Sequence, residues 1–343
     1  MSVTLDDVAK RAGVSPKTVS RAVNGEKGIS ETTREKILSL AEEMNYVPHK
    51  GAQNLASGKT HSIALHFPFS SPKLISERVE MGFVSGIGEE AAQANYHFTL
   101  FTGHLDPRKL THICRASIAD GIILMQVKVD DWRVETLRKL QFPFVMIGRC
   151  QDNQDLSYID LDFENAVIEA YDHLLNLGHK KIGFFTYPES WRTAGLGPSI
   201  RSLHGFQQAI NRYSVEPIYY EMNLSVEDSR ACIGDAIQQH PDMTAMVALH
   251  NSIAVGAINA VQSIGKRIPE DYSLLGVSLG GGSELIIPPL TAIHWEGYEI
   301  GRQAANILID ILNNKISVPK QALILPKLEL QNSTRPLPAD NRP

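Results

Sequence analysis

Residues 4–25 run Thr4-Leu5-Asp6-Asp7-Val8-Ala9-Lys10-Arg11-Ala12-Gly13-Val14-Ser15-Pro16-Lys17-Thr18-Val19-Ser20-Arg21-Ala22-Val23-Asn24-Gly25. Thr4 followed three residues later by Asp7 is a helix-start signal, the hydroxyl being free to accept from backbone N–H groups of the first turn. Leu5, Val8, Ala9 and Ala12 then recur at helical spacing. Gly13 interrupts the run where a tight turn needs a positive φ. Ser15-Pro16 opens a second helix, with Ser at the cap and Pro at the first position, where a missing N–H costs nothing. That helix turns Val19 and Ala22 inward and Lys17, Ser20 and Arg21 outward, and Asn24-Gly25 stops it. Ser30 caps a third, with Ile37, Leu40, Ala41 and Met44 on one face. Two short helices, a glycine turn and a supporting helix make a helix-turn-helix unit. A second helix of about eight residues suits the major groove of DNA, its first side chains reaching base edges while hydroxyls and N–H groups hold phosphates.

Charge points the same way. The 343-residue chain holds 33 Lys/Arg against 38 Asp/Glu, net −5. Residues 1–60 hold nine basic and seven acidic side chains, net +2, so the remainder is net −7. Between Lys10 and Lys36 the balance is seven to three. A basic head on an acidic body suits a head that meets a polyanion.

The quoted stretch resembles the headpiece of the LacI/GalR family of transcriptional regulators. The likeness continues through Ser30-Glu31-Thr32-Thr33-Arg34-Glu35-Lys36-Ile37 and Leu40-Ala41 to Asn45-Tyr46-Val47-Pro48. The resemblance implies base contacts at Pro16, Lys17 and Arg21, and mostly phosphate contacts at Thr4, Thr18, Ser20, Asn24, Ser30 and Thr33. Lys17 and Arg21 can donate to the acceptor edge of guanine; Pro16 offers apolar contact alone. After this headpiece (residues 1–48) comes a linker, 49–60, which reads either as a flexible small-residue tether or, by the resemblance, as a hinge helix in the minor groove. There Ala52, Gln53, Leu55 and Ala56 match the family spacing, with Leu55 as a wedge between base pairs.

From residue 61 the pattern becomes strand, helix, strand. Short apolar runs at Ser62–Phe67, His97–Phe101, Gly121–Met125 and Phe144–Ile147 alternate with amphipathic stretches. The alternation restarts after Tyr158–Asp160 at Lys181–Phe185, Pro217–Glu221, Thr244–Ala248 and Tyr272–Val277. Apolar strands between helices indicate parallel sheets covered on both faces. The expected fold is therefore an all-α helix-turn-helix headpiece plus an α/β two-lobed core of two doubly wound parallel sheets, with a ligand cleft where strand ends meet. The body also resembles the family, whose core is periplasmic-binding-protein-like. Its landmarks include Asp120-Gly121-Ile122-Ile123-Leu124, Leu177-Gly178-His179-Lys180-Lys181-Ile182, Gly205-Phe206 and Ile268-Pro269-Glu270-Asp271. That resemblance implies discontinuous lobes: an N-lobe of about 61–160 plus 291–321, and a C-lobe of about 161–290 plus 322–335.

At the implied effector pocket the chain departs from the sugar-binding pattern. Ser202 stands where an Arg usually precedes the Gly-Phe pair, with Arg201 beside it. Gly276-Val277-Ser278 lacks the usual Asp, His250-Asn251 replaces an Asn/Ser-Asp pair, and Ser71-Pro72-Lys73-Leu74 replaces an Asn-Pro-aromatic-aromatic loop. A Ser or Asn holds vicinal hydroxyls more weakly than a carboxylate. Either the ligand differs, or Arg149, Asp162 and Arg201 take over. The candidate effector residues are Ser71, Arg149, Asp162, Arg201, Ser202, His250, Asn251 and Ser278, with a carbohydrate or related metabolite as ligand.

Other chemistry finds less support. Gly276-Val277-Ser278-Leu279-Gly280 is formally a nucleophile-elbow motif. After Ser278, however, the only histidine is His294 and the only intervening carboxylate Glu284, which leaves no room for an acid loop. Gly280-Gly281-Gly282-Ser283 is a lone glycine cluster, and Ser70-x-x-Lys73 lacks companion motifs. Twelve histidines, His97, His112 and His240 among them, form no metal spacing, and Cys114, Cys150 and Cys232 contain no CxxC pair. No metal and no cofactor is expected. No apolar run approaches the ~18 residues of a membrane span, and the N-terminus carries no secretory signal, so the expected location is the cytoplasm, away from any membrane. The stripe Ile300, Ala304, Ile307, Leu308, Ile311, Leu312 reads as core first and partner surface second, and the tail from Leu328 shows no leucine heptads. One headpiece buries too little DNA, so a homodimer on palindromic double-stranded DNA is expected. These readings converge on a regulator, most simply a repressor of carbohydrate uptake or catabolism genes, and not an enzyme. The alternative is a solute-binding or hydrolytic α/β domain with a vestigial head.

Overall fold

The computed structural model describes residues 3–23, 25, 27–47, 59–68, 78–277, 286–316 and 318–337. Two compact units, Met1–Thr60 and His61–Pro343, divide the chain.

In the first unit, α1 (Leu5–Ala12), α2 (Pro16–Val23) and α3 (Glu31–Glu43) close around Val8, Ala9, Ala12, Val19, Ala22, Ile37 and Ala41. Thr4 and Asp7 form a reciprocal capping box, and Gly13 takes the left-handed conformation (φ 70°) that ends α1. Thr18 N–H donates to Ser15 Oγ at 3.2 Å and Thr33 N–H to Ser30 Oγ at 3.3 Å, capping α2 and α3. Arg34 fixes the supporting helix by donating to the Ala22 carbonyl at 3.0 Å.

The second unit alternates strands and helices: β1 (Ser62–His66), α4 (Arg78–Gln93), β2 (His97–Phe101), α5 (Pro107–Arg115), β3 (Gly121–Leu124), α6 (Trp132–Leu140), β4 (Phe144–Ile147) and β5 (Tyr158–Leu161). Then follow α7 (Phe163–Asn176), β6 (Ile182–Thr186), α8 (Glu189–Thr193), α9 (Gly197–Tyr213), β7 (Ile218–Glu221), α10 (Val226–Gln239), β8 (Ala245–Ala248), α11 (Asn251–Ser263) and β9 (Ser273–Val277). Finally come β10 (Thr291–His294), α12 (Gly297–Leu312), β11 (Gln321–Ile324) and β12 (Lys327–Glu329). One sheet runs β11-β5-β4-β3-β1-β2, wholly parallel, and the other β12-β10-β9-β8-β6-β7, antiparallel only at β12. Both share the order 2-1-3-4-5 along their main run, so each reverses beside its first strand, and ligands of such sheets gather at the carboxyl ends there. The apolar runs read from sequence thus fall on β1 to β9.

The stripe Ile300, Ala304, Ile307, Leu308 is buried in the first lobe, where α12 lies against α4. Their backbones approach so closely that a Cβ at Gly86 would stand 2.0 Å from the Tyr298 carbonyl oxygen. The chain crosses between lobes three times, and two crossings come a few residues later than the 291 and 322 boundaries expected. Thr291–His294 belongs to the second sheet, because the Thr291 N–H donates to Ser333 Oγ (2.9 Å) and its strand lies beside β9. Gln321–Ile324 belongs to the first, in register with Tyr158–Leu161. The three crossing segments are fastened to one atom group: the Ile324 carbonyl accepts from the Asp162 N–H (3.1 Å) and from Trp295 Nε1 (3.0 Å).

Candidate functional site

Carboxyl-terminal strand ends from both sheets enclose a cavity of about 140 Å³ within the second unit. Phe67 follows β1, Met125–Val127 follow β3, Gly148 follows β4 and Asp160 and Leu161 are the last two residues of β5; Tyr187 follows β6, and Leu249 and His250 follow β8. The walls are mostly apolar: Phe67, Phe83, Ile147, Leu161, Phe163 and Leu249 line them. The Tyr187 and Trp191 rings stack 5.0 Å apart at 13°.

One charged cluster stands at the cavity edge. Asp160 is 4 % exposed, with Oδ2 3.1 Å from Arg149 Nε and 3.5 Å from Arg201 Nε. Neither contact has hydrogen-bond geometry, so Oδ2 is a buried acceptor without a donor. Burial pushes the Asp160 carboxyl up to about 6, against the pull of the two guanidiniums. Arg201 Nη2 donates to the Arg149 carbonyl at 2.8 Å, crossing from α9 to the first lobe.

A short backbone strap closes one side of the cleft. Lys128 and Leu196 form an antiparallel bridge; Val129 N–H donates to the Gly195 carbonyl (2.8 Å) and Gly197 N–H to the Val127 carbonyl (3.2 Å). Behind the first-lobe wall, buried Arg133 donates to the carbonyls of Met125 (3.1 Å) and Gln126 (3.0 Å), to Asp131, and from Nη1 to His66 Nδ1 at 2.9 Å. His66 Nε2 faces the Gly103 carbonyl at 3.2 Å. Burial, with the facing Arg133 charge, lowers the His66 pKa to about 4 and keeps the ring neutral.

Among the expected effector residues, the structure brings Arg201 and His250 to the cavity wall and Arg149 to the far side of the Asp160 cluster. His250 also caps α11, Nδ1 accepting from Ser252 N–H at 3.2 Å. Asp162 is instead the cap of α7, accepting from the Asn165 N–H at 3.1 Å. Ser202 is fully buried in α9 and Asn251 opens α11; neither lines the cavity. Ser71 and Ser278 lie outside the described residues. Asp160 and the aromatic walls were not anticipated; an acidic residue inside the buried strand Tyr158–Leu161 is a signal for Asp160 alone. His294 lies 3.7 Å from Glu329 across the β10–β12 pair. Among the described residues no cluster of His, Cys, Asp and Glu could hold a metal ion, and no helix is long and apolar enough to cross a membrane.

In the first unit Pro16 and Lys17 are exposed on the opening turn of α2, and Thr4 and Ser30 are exposed at the caps of α1 and α3. Thr18, Ser20, Arg21 and Thr33 are half-buried. The Ser15–Thr18 and Ser30–Thr33 hydroxyl pairs, each 2.8 Å apart, sit at helix N-termini, where the backbone already favours an anion. Asn24 and the hinge candidates Ala52, Gln53, Leu55 and Ala56 lie outside the described residues.

Comparison with known proteins agrees with both units. Residues 4–49 match the family described as bacterial regulatory proteins, lacI family, and residues 171–334 match the periplasmic binding protein-like domain. The HTH-type transcriptional regulator CelR of Thermobifida fusca is 27 % identical over 96 % of this chain and 98 % of its own length. Catabolite control protein A of Priestia megaterium is 28 % identical over 98 % of this chain and all of its own. Among solved structures, the CelR–cellobiose complex superposes with a TM-score of 0.71 at 25 % identity, covering 96 % of this chain and 99 % of that one. A lac repressor dimer bound to operator superposes at 0.84, with 24 % identity over 98 % of this chain and all of that one. The chain thus carries a headpiece domain of the LacI family of regulators joined to a periplasmic-binding-protein-like domain, and its full-length relatives are regulators.

Proposed function

We propose that the chain is a cytoplasmic, homodimeric repressor that binds palindromic operator DNA and is controlled by a small metabolite, a sugar or related compound, held in the cleft. The observation that carries this reading is the pairing, in one chain, of a helix-turn-helix head with two lobes joined by three tied crossings around a cavity. Pro16, Lys17 and Arg21 read bases. Thr4, Thr18, Ser20, Asn24, Ser30 and Thr33 hold phosphates, and Leu55, with Ala52, Gln53 and Ala56, enters the minor groove. The metabolite acts by linkage: it shifts DNA affinity by no more than its differential affinity for the two lobe arrangements. CelR, named with cellobiose in its complex, supports a carbohydrate-type ligand. The relatives' names describe regulators, which supports a binding role rather than a catalytic one.

Footprinting of the full chain on promoter fragments, at stepped salt and with or without metabolites, tests this. The expected result is a protected palindrome that survives salt at which other fragments are released. Uniformly weak attachment to every fragment, erased by modest salt, overturns it.

A further inference from the structure

We propose that Arg34 is a positioning residue for base readout: from α3 it fixes the carboxyl end of α2, and so governs how Arg21, but not Lys17, meets its base pair. The inference rests on reading α2 as the helix in the major groove.

The two ends of α2 are held differently. At the amino end the anchors are local. Ser15 Oγ accepts from the Thr18 N–H at 3.2 Å, and the Ser15 and Thr18 hydroxyls lie 2.8 Å apart. The turn before them is closed by the Val14 N–H, which donates to the Ala9 carbonyl at 3.1 Å just past left-handed Gly13. At the carboxyl end the apolar anchors are slighter: Ala22 brings one methyl group to the core, and Val23 packs against its edge, partly buried. A polar anchor arrives there from another helix. Arg34 Nη1 donates to the Ala22 carbonyl at 3.0 Å and reaches the Arg21 carbonyl at 3.5 Å. The Gly25 N–H meets the same Ala22 oxygen at 3.3 Å, so the guanidinium supplies the shorter of the two bonds. Both carbonyls belong to the last turn, whose oxygens lack partners within the helix, and a cation there also meets the negative end of the helix dipole.

The guanidinium faces the helix, not a phosphate. The Arg34 side chain is 16 % exposed, with Glu31 Oε2 3.8 Å from its Nε. Two residues on, Lys36 Nζ donates to the Ala12 carbonyl at 3.4 Å and so ties the end of α1 in the same manner. Thus α3 carries a cation for each preceding helix, and the one from Arg34 serves the helix that bears the base readers.

Leverage makes the tie selective. An α-helix rises about 1.5 Å per residue, so along the axis from Pro16 the Lys17 backbone stands about 1.5 Å away and that of Arg21 about 7.5 Å. A tilt of about 10° about the pinned amino end moves Arg21 by about 1 Å and Lys17 by about 0.3 Å. A hydrogen bond tolerates about half an ångström. Losing the carboxyl-end tie therefore costs the contact at Arg21 and spares the one at Lys17.

The test is competition binding by the full chain over single-base variants of an operator recovered from a random duplex pool. Arg21→Ala and Lys17→Ala first mark the base pair that each side chain reads. In Arg34→Met, preference at the Arg21 pair should fall at least about fivefold, the lower end of what one bidentate contact confers. Preference at the Lys17 pair should stay within about twofold, the scatter of an uncoupled site. Arg34→Lys keeps the charge and a donor on a stem one bond shorter, and should lie between the parent and Arg34→Met at the Arg21 pair. Lys36→Met, which cuts the matching tie to α1, should leave both preferences within about twofold. Equal losses at the two pairs in Arg34→Met, or a parental ranking, overturn the proposal. Uniform weakening with a salt slope lower by about one, the signature of a phosphate contact, overturns it too. If Arg34→Met does not fold, Arg34→Lys decides alone: a loss beyond about twofold confined to the Arg21 pair supports the proposal, and losses at both pairs or at neither defeat it. Should Arg21→Ala and Lys17→Ala leave the ranking untouched, α2 is not the reader and the positioning role falls with it. A base map that holds while Arg34 proves indifferent removes the positioning role alone.

Discussion

Arg201 Nη2 donates to the backbone carbonyl of Arg149 at 2.8 Å, which makes one side chain a tie between the lobes. The same guanidinium stands beside buried Asp160, at 3.5 Å from Nε. Removing one partner of a buried pair costs about 3–5 kcal/mol, and Arg149 remains here as a second cation, so Arg201→Met should cost about 3 kcal/mol. For a body of this size that is a Tm loss of roughly 6–10 °C. Adding Asp160→Asn should restore part of it. A double variant no more stable than Arg201→Met in thermal melts would show that the two charges are not coupled.

Ligand binding should be proton-linked through Asp160. Its carboxyl is pushed up to about 6 in the unliganded cleft, and a ligand that donates to this carboxylate favours the ionised form. Affinity should therefore rise between pH 5 and pH 7, with proton release on binding near pH 6. Calorimetry in buffers of different ionisation enthalpy measures this directly. In Asp160→Asn the affinity should fall about tenfold or more, for a lost hydrogen bond to a charged group, and the pH slope should vanish.

Acid should loosen the cavity wall through His66. Its folded pKa of about 4 lies below the ordinary 6.5, so its neutral form contributes stability that is full above pH 6.5 and lost as pH falls through 4. Protonation would set an imidazolium against Arg133, which holds the Met125 and Gln126 carbonyls. Asp160 has the opposite sign. Its raised pKa gives a contribution present below 3.8 and lost as pH rises through about 6. Replacing His66 by Gln should thus make the acid arm of a Tm-versus-pH curve shallower, whereas Asp160→Asn should make it steeper; equal arms in all three proteins would refute both assignments.

In the headpiece, Lys17→Ala and Arg21→Ala should relax base preference by about 1–3 kcal/mol at the position each reads. Thr4→Ala and Ser30→Ala should weaken all sequences alike. Competition binding over a library of operator variants separates the two behaviours, and identical rankings in Lys17→Ala, Arg21→Ala and the parent would remove α2 from base readout.

The headpiece was readable from its sequence because everything that shapes it is local: Thr4 caps its own helix, Gly13 turns within its own loop, and Val8, Val19 and Ile37 meet across about thirty residues. The strands were readable for a related reason, since a sheet buried on both faces requires continuous apolar runs such as Gly121–Leu124. The cavity followed different logic. Phe67, Tyr187 and Trp191 leave two different sheets and converge only after both have folded, so no spacing records them. Asp160 and Asp162 show how narrow the margin is. Two residues apart, one lies inside a strand at the cleft while the other caps a helix, and Asp162 with Asn165 three residues on carried a cap signal that outranks ligand contact. Arg201 and Ser202 divide similarly, because neighbouring positions on a helix point about 100° apart.

The shared carbonyl of Ile324 has a kinematic consequence. Three separate tethers would let the lobes slide past one another, but tethers knotted at a common atom suppress sliding and leave rotation about that point. Any rotation about it is felt by all three connections together, so a cross-link placed across the opening, away from that point, should restrict the whole body.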